Sequence, residues 1–331
     1  MFEQIISMEN LLQAWVEFLP GKKDKPDVAL FALNLSTNLY QLHEELRNKT
    51  YIHGPYKHFR INYPKPRDIH KPTVRDRLLH HAIVRVLCPF FDRLFVFDSY
   101  SSRLGKGTHL AMDRFAGFGR RISRNHTRTT WVLKCDIRKF FASIDHVTLK
   151  EILARHIRDQ DMLRLLSSVI DSFNTVGKFG VGLPLGNLTS QLLVNIYMDQ
   201  FDQHVKHRLK VKYYIRYADD FVFLSHDKFE LEKLTPIIHE FLQTKLKLAL
   251  HPKKLFLKTL ASGLDFLGWV HFPDHRVLRT STKHRMLRNL GVKPPSEATL
   301  NSYLGMLGHG NGEKLKQVVL ELNLGYSILH V

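Results

Sequence analysis

Three aspartates sit where a carboxylate is costly. Asp136 closes the apolar segment WVLKC, and Asp219 with Asp220 lies between the arms YYIRY and FVFLS. Each segment reads as a strand entering a core, so the acids reach a buried edge where an unpaired charge is unfavourable. Two adjacent like charges add repulsion to desolvation, and a bound cation would relieve both. If Asp136 and Asp219 converge, they could hold two Mg²⁺ ions roughly 3.5 to 4 Å apart, activating a hydroxyl and stabilising a departing pyrophosphate. Phosphoryl transfer asks for little further covalent chemistry from a protein. Taken singly, the acids have plainer readings. Asp-Asp is good turn chemistry, and Asp136 or Asp145 could cap the helix beginning near His146, which is the favoured role for Asp145.

The elements that must position these groups are legible in outline. TVRDRLLHHAIVRVLCPFF, from Thr73, places Leu78, Leu79, Ala82, Ile83, Val86, Leu87 and Phe90 on one helical face, with Thr73 and Asp76 in capping-box spacing. LTSQLLVNIYMDQFDQHV reads as a helix between the two strand regions, with Ala218, Asp219 and Asp220 at or near a hairpin turn. A mostly helical basic tail is expected from about Arg276. Pro/Gly clusters near Pro20 to Pro26, Val176 to Gly186 and Gly291 to Ser296 are the candidate linkers. Alternating strands and helices followed by this tail indicate an α+β core carrying a smaller helical module.

Charge narrows the partner. Forty-nine Lys and Arg face 31 Asp and Glu, a surplus of 18 spread along 331 residues. Each phosphate neutralised by such a surface releases counterions, so a nucleic acid bound in a salt-dependent way is the natural partner. The 44% apolar content is that of an ordinary folded protein. Cys88 and Cys135, the two cysteines, sit in apolar runs as small hydrophobes, which fits a reducing cytoplasm. The opening MFEQIISMENLLQAWVEFLP lacks the pattern of a signal peptide, and no stretch approaches the roughly 20 apolar residues of a membrane span. The 20 histidines come without a Cys-x-x-Cys pair, arguing against structural zinc, and GKGTH lacks Walker spacing.

CDIRKFFASID, VGLPLGNLTSQ, RYADDFVFL, LHPKK and DFLGW occur in the order of reverse-transcriptase motifs A to E. The chain resembles the reverse transcriptases of diversity-generating retroelements, within the group II intron-like superfamily. Ser190 and Gln191 match the form of motif B in which group II intron enzymes usually show Ser-Pro. KPRDI, DRLLHHA, GKGTH, RVLRTST and SYLGMLGHG extend the resemblance over nearly the whole chain. It implies a right-hand polymerase fold: an amino-terminal extension and fingers over 1–130, a palm over 131–270 and a small helical thumb over 271–331.

The same resemblance implies roles. Asp136 and Asp219 would be metal ligands, with Asp220 the supporting acid and the Ile137 carbonyl a further contact, for two Mg²⁺ that Mn²⁺ could replace. Arg138 and Lys139 would face the triphosphate, and Lys65 with Arg67 would clamp phosphates from the fingers. Phe141 falls at the steric-gate position, crowding a ribose 2′-hydroxyl and so favouring deoxynucleotides. Gly186 lets backbone approach the nucleotide and template, Gln191 lies in the same substrate-binding motif, and Leu185 stands where many retroviral enzymes place a glutamine. Leu185, with Val181, would make a permissive contact, consistent with the misincorporation opposite template adenines known in that family. Lys254 aligns with the lysine that protonates pyrophosphate, Lys253 remaining the alternative because His251 replaces the usual asparagine. Phe266, Leu267 and Gly268 resemble the primer grip, and Trp269 is expected to pack or to stack on nucleic acid. The implied partners are an RNA template, a DNA or RNA primer, dNTPs and a small basic oligomeric accessory protein, with no membrane. Another bacterial reverse transcriptase, of the phage-defence or retron type, and a noncatalytic RNA-binding scaffold remain the alternatives. No room is expected for a ribonuclease H or endonuclease module.

Overall fold

The period-two pattern of WVLKCD and DFVFLS is buried on both faces, and that double burial builds the centre of the molecule. The structure is a computed structural model and describes residues 1–62, 65–292 and 295–328, the last helix by its backbone alone beyond Leu322. The predicted linker at 291–296 and the carboxyl-terminal end of the predicted thumb therefore lie partly outside the described residues.

Four helices open the chain: α1 (Phe2–Ile6), α2 (Met8–Phe18), α3 (Pro26–Leu33) and α4 (Leu35–Arg47). They pack around α5 (Val74–Asp92), whose apolar face is the predicted one. Thr73 caps α5 by accepting from the Asp76 N–H, and the fully buried Asp76 carboxylate accepts from the Tyr51 hydroxyl at 2.8 Å. Between them a basic hairpin, β1 (Lys57–Ile61) with β2 (Arg67–Lys71), pairs Ile61 opposite Arg67. Helix α6 (Thr108–Ile122) then leads to the central sheet.

That sheet has the order β4-β5-β3-β6 and is antiparallel throughout, from β3 (Trp131–Asp136), β4 (Tyr214–Tyr217), β5 (Asp220–Ser225) and β6 (Phe256–Thr259). Leu133, Cys135, Phe221 and Phe223 face the large core shared with α9 (Leu188–Gln203) and α10 (Lys228–Leu246). Val132, Val222 and Leu224 face the other way, onto α6. A one-residue slip would exchange these faces, so burial on both sides fixes the register. Helices α7 (His146–His156) and α8 (Gln160–Asp171) flank the core, and Asp145 caps α7 by accepting from the Thr148 N–H at 2.9 Å.

A second small sheet, β7 (Leu264–Phe266), β8 (Trp269–His271) and β9 (Arg276–Leu278), precedes α11 (Thr280–Val292), α12 (Glu297–Leu307) and α13 (Glu313–Ile328). The helical tail expected from Arg276 thus begins four residues later. Arg276–Leu278 pair with β8 because Leu278, opposite Trp269, buries against it in the cluster formed with Met286, Leu290, Leu307 and Val319. Trp269 is accordingly a packing residue and is only 3% exposed. No helix among the described residues is long and apolar enough to cross a membrane.

One buried acid carries a pH signature. Burial first, and then the charge of Asp202, push Asp199 up to about 7. The unfolded chain releases this proton near pH ~3.9, so stability falls as pH rises from about 4 to about 7. Urea unfolding of the wild type and of Asp199→Asn should agree near pH 4, and the variant should be more stable by about 2–4 kcal/mol at pH 8.

Candidate active site

Strand β3 ends at Asp136, directly opposite Asp220, the first residue of β5. Tyr217 also pairs with Asp220, which leaves Ala218 and Asp219 as a two-residue turn with Ala218 at φ 55°. The backbone holds this junction from both sides. The Ile137 N–H donates to the Asp219 carbonyl at 3.2 Å, and the His251 N–H donates to the Asp136 carbonyl at 2.7 Å. The structure therefore brings Asp136, Asp219 and Asp220 to one end of the central sheet.

Beneath the turn lies a buried ionic network absent from the sequence reading. Arg216, 0% exposed, pairs with Asp202 at 2.6 Å and also donates to Ser99, to Asn195 and to the Ala218 carbonyl at 3.1 Å. The Tyr214 hydroxyl adds a 2.6 Å bond to Asp202. With its donors satisfied, the guanidinium can stay charged in the core and brace the loop that carries Asp219.

The electrostatics of the three acids follow from this crowding. Asp219 is raised first by burial and then by Asp136, against the opposing charges of Lys254 and Arg67. Burial lifts Asp220 to about 6, with Asp136 and Asp219 adding to the rise and Lys134 opposing it. Lys254 reaches Asp136 Oδ2 at 2.7 Å, and Lys134 reaches Asp220 Oδ2 at 3.0 Å. The other oxygen of each, Asp136 Oδ1 and Asp220 Oδ1, is buried without a hydrogen-bond partner among the described atoms. No group of three or more His, Cys, Asp or Glu stands ready-made for a metal among the described residues, and an ammonium group engages one oxygen of Asp136 and one of Asp220. The orphaned oxygens and Asp219 are nevertheless hard oxygen donors of the kind Mg²⁺ prefers, in a cluster of three carboxylates of which two are paired with an ammonium group.

The remaining sequence candidates surround this centre to different degrees. Phe141 lies in a short helical turn after Asp136, and its carbonyl accepts from the Leu183 N–H at 2.8 Å, tying it to the segment that carries Leu185. Val181 is bridged to Asp145. Arg138 and Lys139 are exposed, Lys139 at φ 48°. Gly186 is exposed at φ 99°, and a Cβ there would meet Ile69 of β2 at 3.6 Å, so the β1–β2 hairpin lies against this loop. Leu185 and Gln191 are half-buried, Gln191 in the first turn of α9. Lys65 is exposed beside β2, whose Arg67 is felt at Asp219.

Lys254, not Lys253, points at Asp136, because the Lys254 N–H donates to the His251 carbonyl and the resulting turn directs the side chain inward. Leu267 and Gly268 occupy a two-residue hairpin with φ of 52° and 90°, the double left-handed signature of a type I′ turn. Phe266 is drawn into the core against Phe115 and is 0% exposed, whereas Leu267 and Gly268 are half-buried, Leu267 packing against both neighbouring apolar clusters. Lys134 is the other residue the sequence reading passed over. A lysine in an apolar strand, two positions before Asp136 and so on the same face, was its available signal.

This fold is the right-hand polymerase arrangement, shared at TM-scores of 0.52 and 0.54 with telomerases of Candida tropicalis (C-terminally truncated) and Candida albicans. These align with 70% and 82% of this chain and 55% of each telomerase, at 14% and 11% identity, a likeness of fold alone. Residues 62–271 match the family described as Reverse transcriptase (RNA-dependent DNA polymerase), and the chain belongs to that family, whose members generally use divalent metal ions. Protein YkfC of Escherichia coli is 25% identical across 83% of this chain and 80% of its own length. The group II intron-encoded protein LtrA of Lactococcus lactis is 24% identical across 73% of this chain, which spans half of LtrA.

The ion pair at Asp136 separates the two lysines experimentally. Lys254→Met should lower the single-turnover polymerisation rate by about a hundredfold. Lys253→Met should stay within a few-fold of wild type in the same rapid-quench assay.

Proposed function

We propose that this chain is an active RNA-directed DNA polymerase, extending a primer along an RNA template with deoxynucleotides. The observation that carries the reading is the cross-strand pair Asp136–Asp220 with Asp219 at the adjoining turn, Asp136 Oδ1 and Asp220 Oδ1 being buried and unpartnered among the described atoms. Two Mg²⁺, or Mn²⁺ in their place, held by Asp136, Asp219 and the Ile137 carbonyl with Asp220 in support, would activate the primer hydroxyl and offset charge on the leaving pyrophosphate. The chain's own groups do the rest. Lys254 delivers a proton to the departing pyrophosphate, and Arg67, Lys65, Arg138 and Lys139 hold phosphates. Phe141 crowds a 2′-hydroxyl, Gly186 and Gln191 border the nucleotide and template, and the Leu267–Gly268 tip supports the primer backbone.

In this reading the amino-terminal extension and fingers run over 1–130, the palm over 131–270 and the thumb over 271–331. The finer assignment is to a diversity-generating retroelement, copying a template-repeat RNA with errors at adenines and aided by a small basic accessory oligomer. Its support is the Ser190–Gln191 pair and the apolar Leu185 beside Gly186.

Primer extension on an RNA template with dNTPs and Mg²⁺ tests the general reading. Synthesis should fall about a hundredfold or more in Asp219→Asn. Salt-sensitive RNA binding without metal-dependent synthesis would instead identify a scaffold. Phe141→Val should narrow discrimination against ribonucleotides by about ten- to a hundredfold in competition assays. For the finer assignment, sequenced cDNA should show fewer errors opposite adenine in Leu185→Gln, and an unchanged error rate would remove Leu185 from the account.

A further inference from the structure

Lys134 is the centre of a connection that the established family activity does not require. The surrounding strand is apolar, yet a lysine only 9% exposed occupies this position. A buried ammonium is tolerated when its donors are matched, and two of its three have oxygen partners. Nζ bonds Asp220 Oδ2 at 3.0 Å and the Asp265 carbonyl at 2.7 Å, and stands 5.8 Å from the Phe266 ring centroid.

Asp220 belongs to the carboxylate centre, whereas Asp265 belongs to β7, the strand leading into the Leu267–Gly268 turn. The central sheet and the three-stranded sheet are separate ladders, so no strand pairing fixes one against the other. Apolar packing of Leu264 and Phe266 on Val132, Val222 and Leu224 joins them, but such contacts are non-directional. Lys134 adds a directed bond to each side. On the far side of Asp265, its carboxylate pairs with Arg279, whose N–H donates to the Gly268 carbonyl at 3.2 Å. The turn is thus held between Arg279 at the start of the thumb and the strand that Lys134 grips. The same ammonium occupies Oδ2 of Asp220 and leaves Oδ1 as the open oxygen.

We propose that Lys134 is a positioning residue that sets the Leu267–Gly268 turn, and a primer terminus resting on it, in register with the carboxylate centre. This rests on the polymerase reading above. Its consequence is a particular pair of opposite effects. Without the ammonium the terminus loses register, so the chemical step slows. The carboxylates also lose a competing cation, so a divalent ion binds more tightly. A lysine that only neutralised Asp220 would, on removal, tighten the cation and leave the chemical step near wild type.

The test uses the whole chain carrying Lys134→Met, which keeps an apolar stem against Phe266, or Lys134→Gln as the second variant, with Lys134→Arg as the charge-conserving control. Single-turnover extension should slow by about ten- to a hundredfold while the KM for primer–template stays near wild type. Mn²⁺ binding at pH 8, followed by electron paramagnetic resonance without nucleic acid, should tighten by about three- to tenfold. Lys134→Arg should return Mn²⁺ affinity to near wild type and recover part of the rate. A folded Met or Gln variant with unchanged rate, or with weakened Mn²⁺ binding, overturns the proposal. Should the wild type itself make no DNA, the polymerase reading fails, and unchanged Mn²⁺ affinity in the variants would still refute the placement of Lys134 at the cation site.

Discussion

Repulsion among three carboxylates at one end of a buried sheet is the constraint on which the rest of the structure depends. Asp136 and Asp220 face each other across a strand pair, and Asp219 occupies the adjoining turn. Burial and mutual charge raise both Asp219 and Asp220 from the usual aspartate value, Asp220 to about 6. Such an arrangement is unfavourable by itself, and the chain surrounds it with compensation. Lys254 and Lys134 each engage one oxygen, and the Arg216–Asp202 network braces the turn from below. Asp136 Oδ1 and Asp220 Oδ1 are left without hydrogen-bond partners among the described atoms.

The architecture follows from holding these groups still. Apolar residues on both faces of β3 and β5 fix the register, and that register places Lys134, Asp136 and Asp220 on one face. The β1–β2 hairpin lies against the Gly186 loop from one side, and the type I′ turn at Leu267–Gly268 is tied in from another through Lys134. A centre of like charge is thereby bordered by cationic and apolar groups contributed by distant parts of the chain, which is how a phosphate-rich substrate could be met there.

Much of this was legible in the sequence because its signals are local. Acids ending apolar runs marked the site, the Thr73–Asp76 spacing marked a helix start, and Asp145 behaves as the helix cap expected of it. The features that were not legible depend on tertiary partners. Nothing near Lys134 in sequence reveals Asp265, and Arg216 becomes informative only beside Asp202 and Ser99. The choice between Lys253 and Lys254 turned on a backbone turn at His251. Phe266, in the segment that resembles the primer grip, packs its ring against Phe115 in the core, a partner that its neighbours in sequence do not reveal. Arg276–Leu278 looked like the start of a basic helix, and pairing with a three-residue neighbour made it a strand. Very short strands are set by what lies beside them more than by their own composition.

The most direct measurement is anomalous diffraction from crystals grown with Mn²⁺ and a primer–template duplex. The account predicts manganese peaks within coordination distance of Asp136 and Asp219, with Lys254 displaced from Asp136. Manganese bound elsewhere, with both lysine–aspartate pairs intact and the three carboxylates bare, would contradict it.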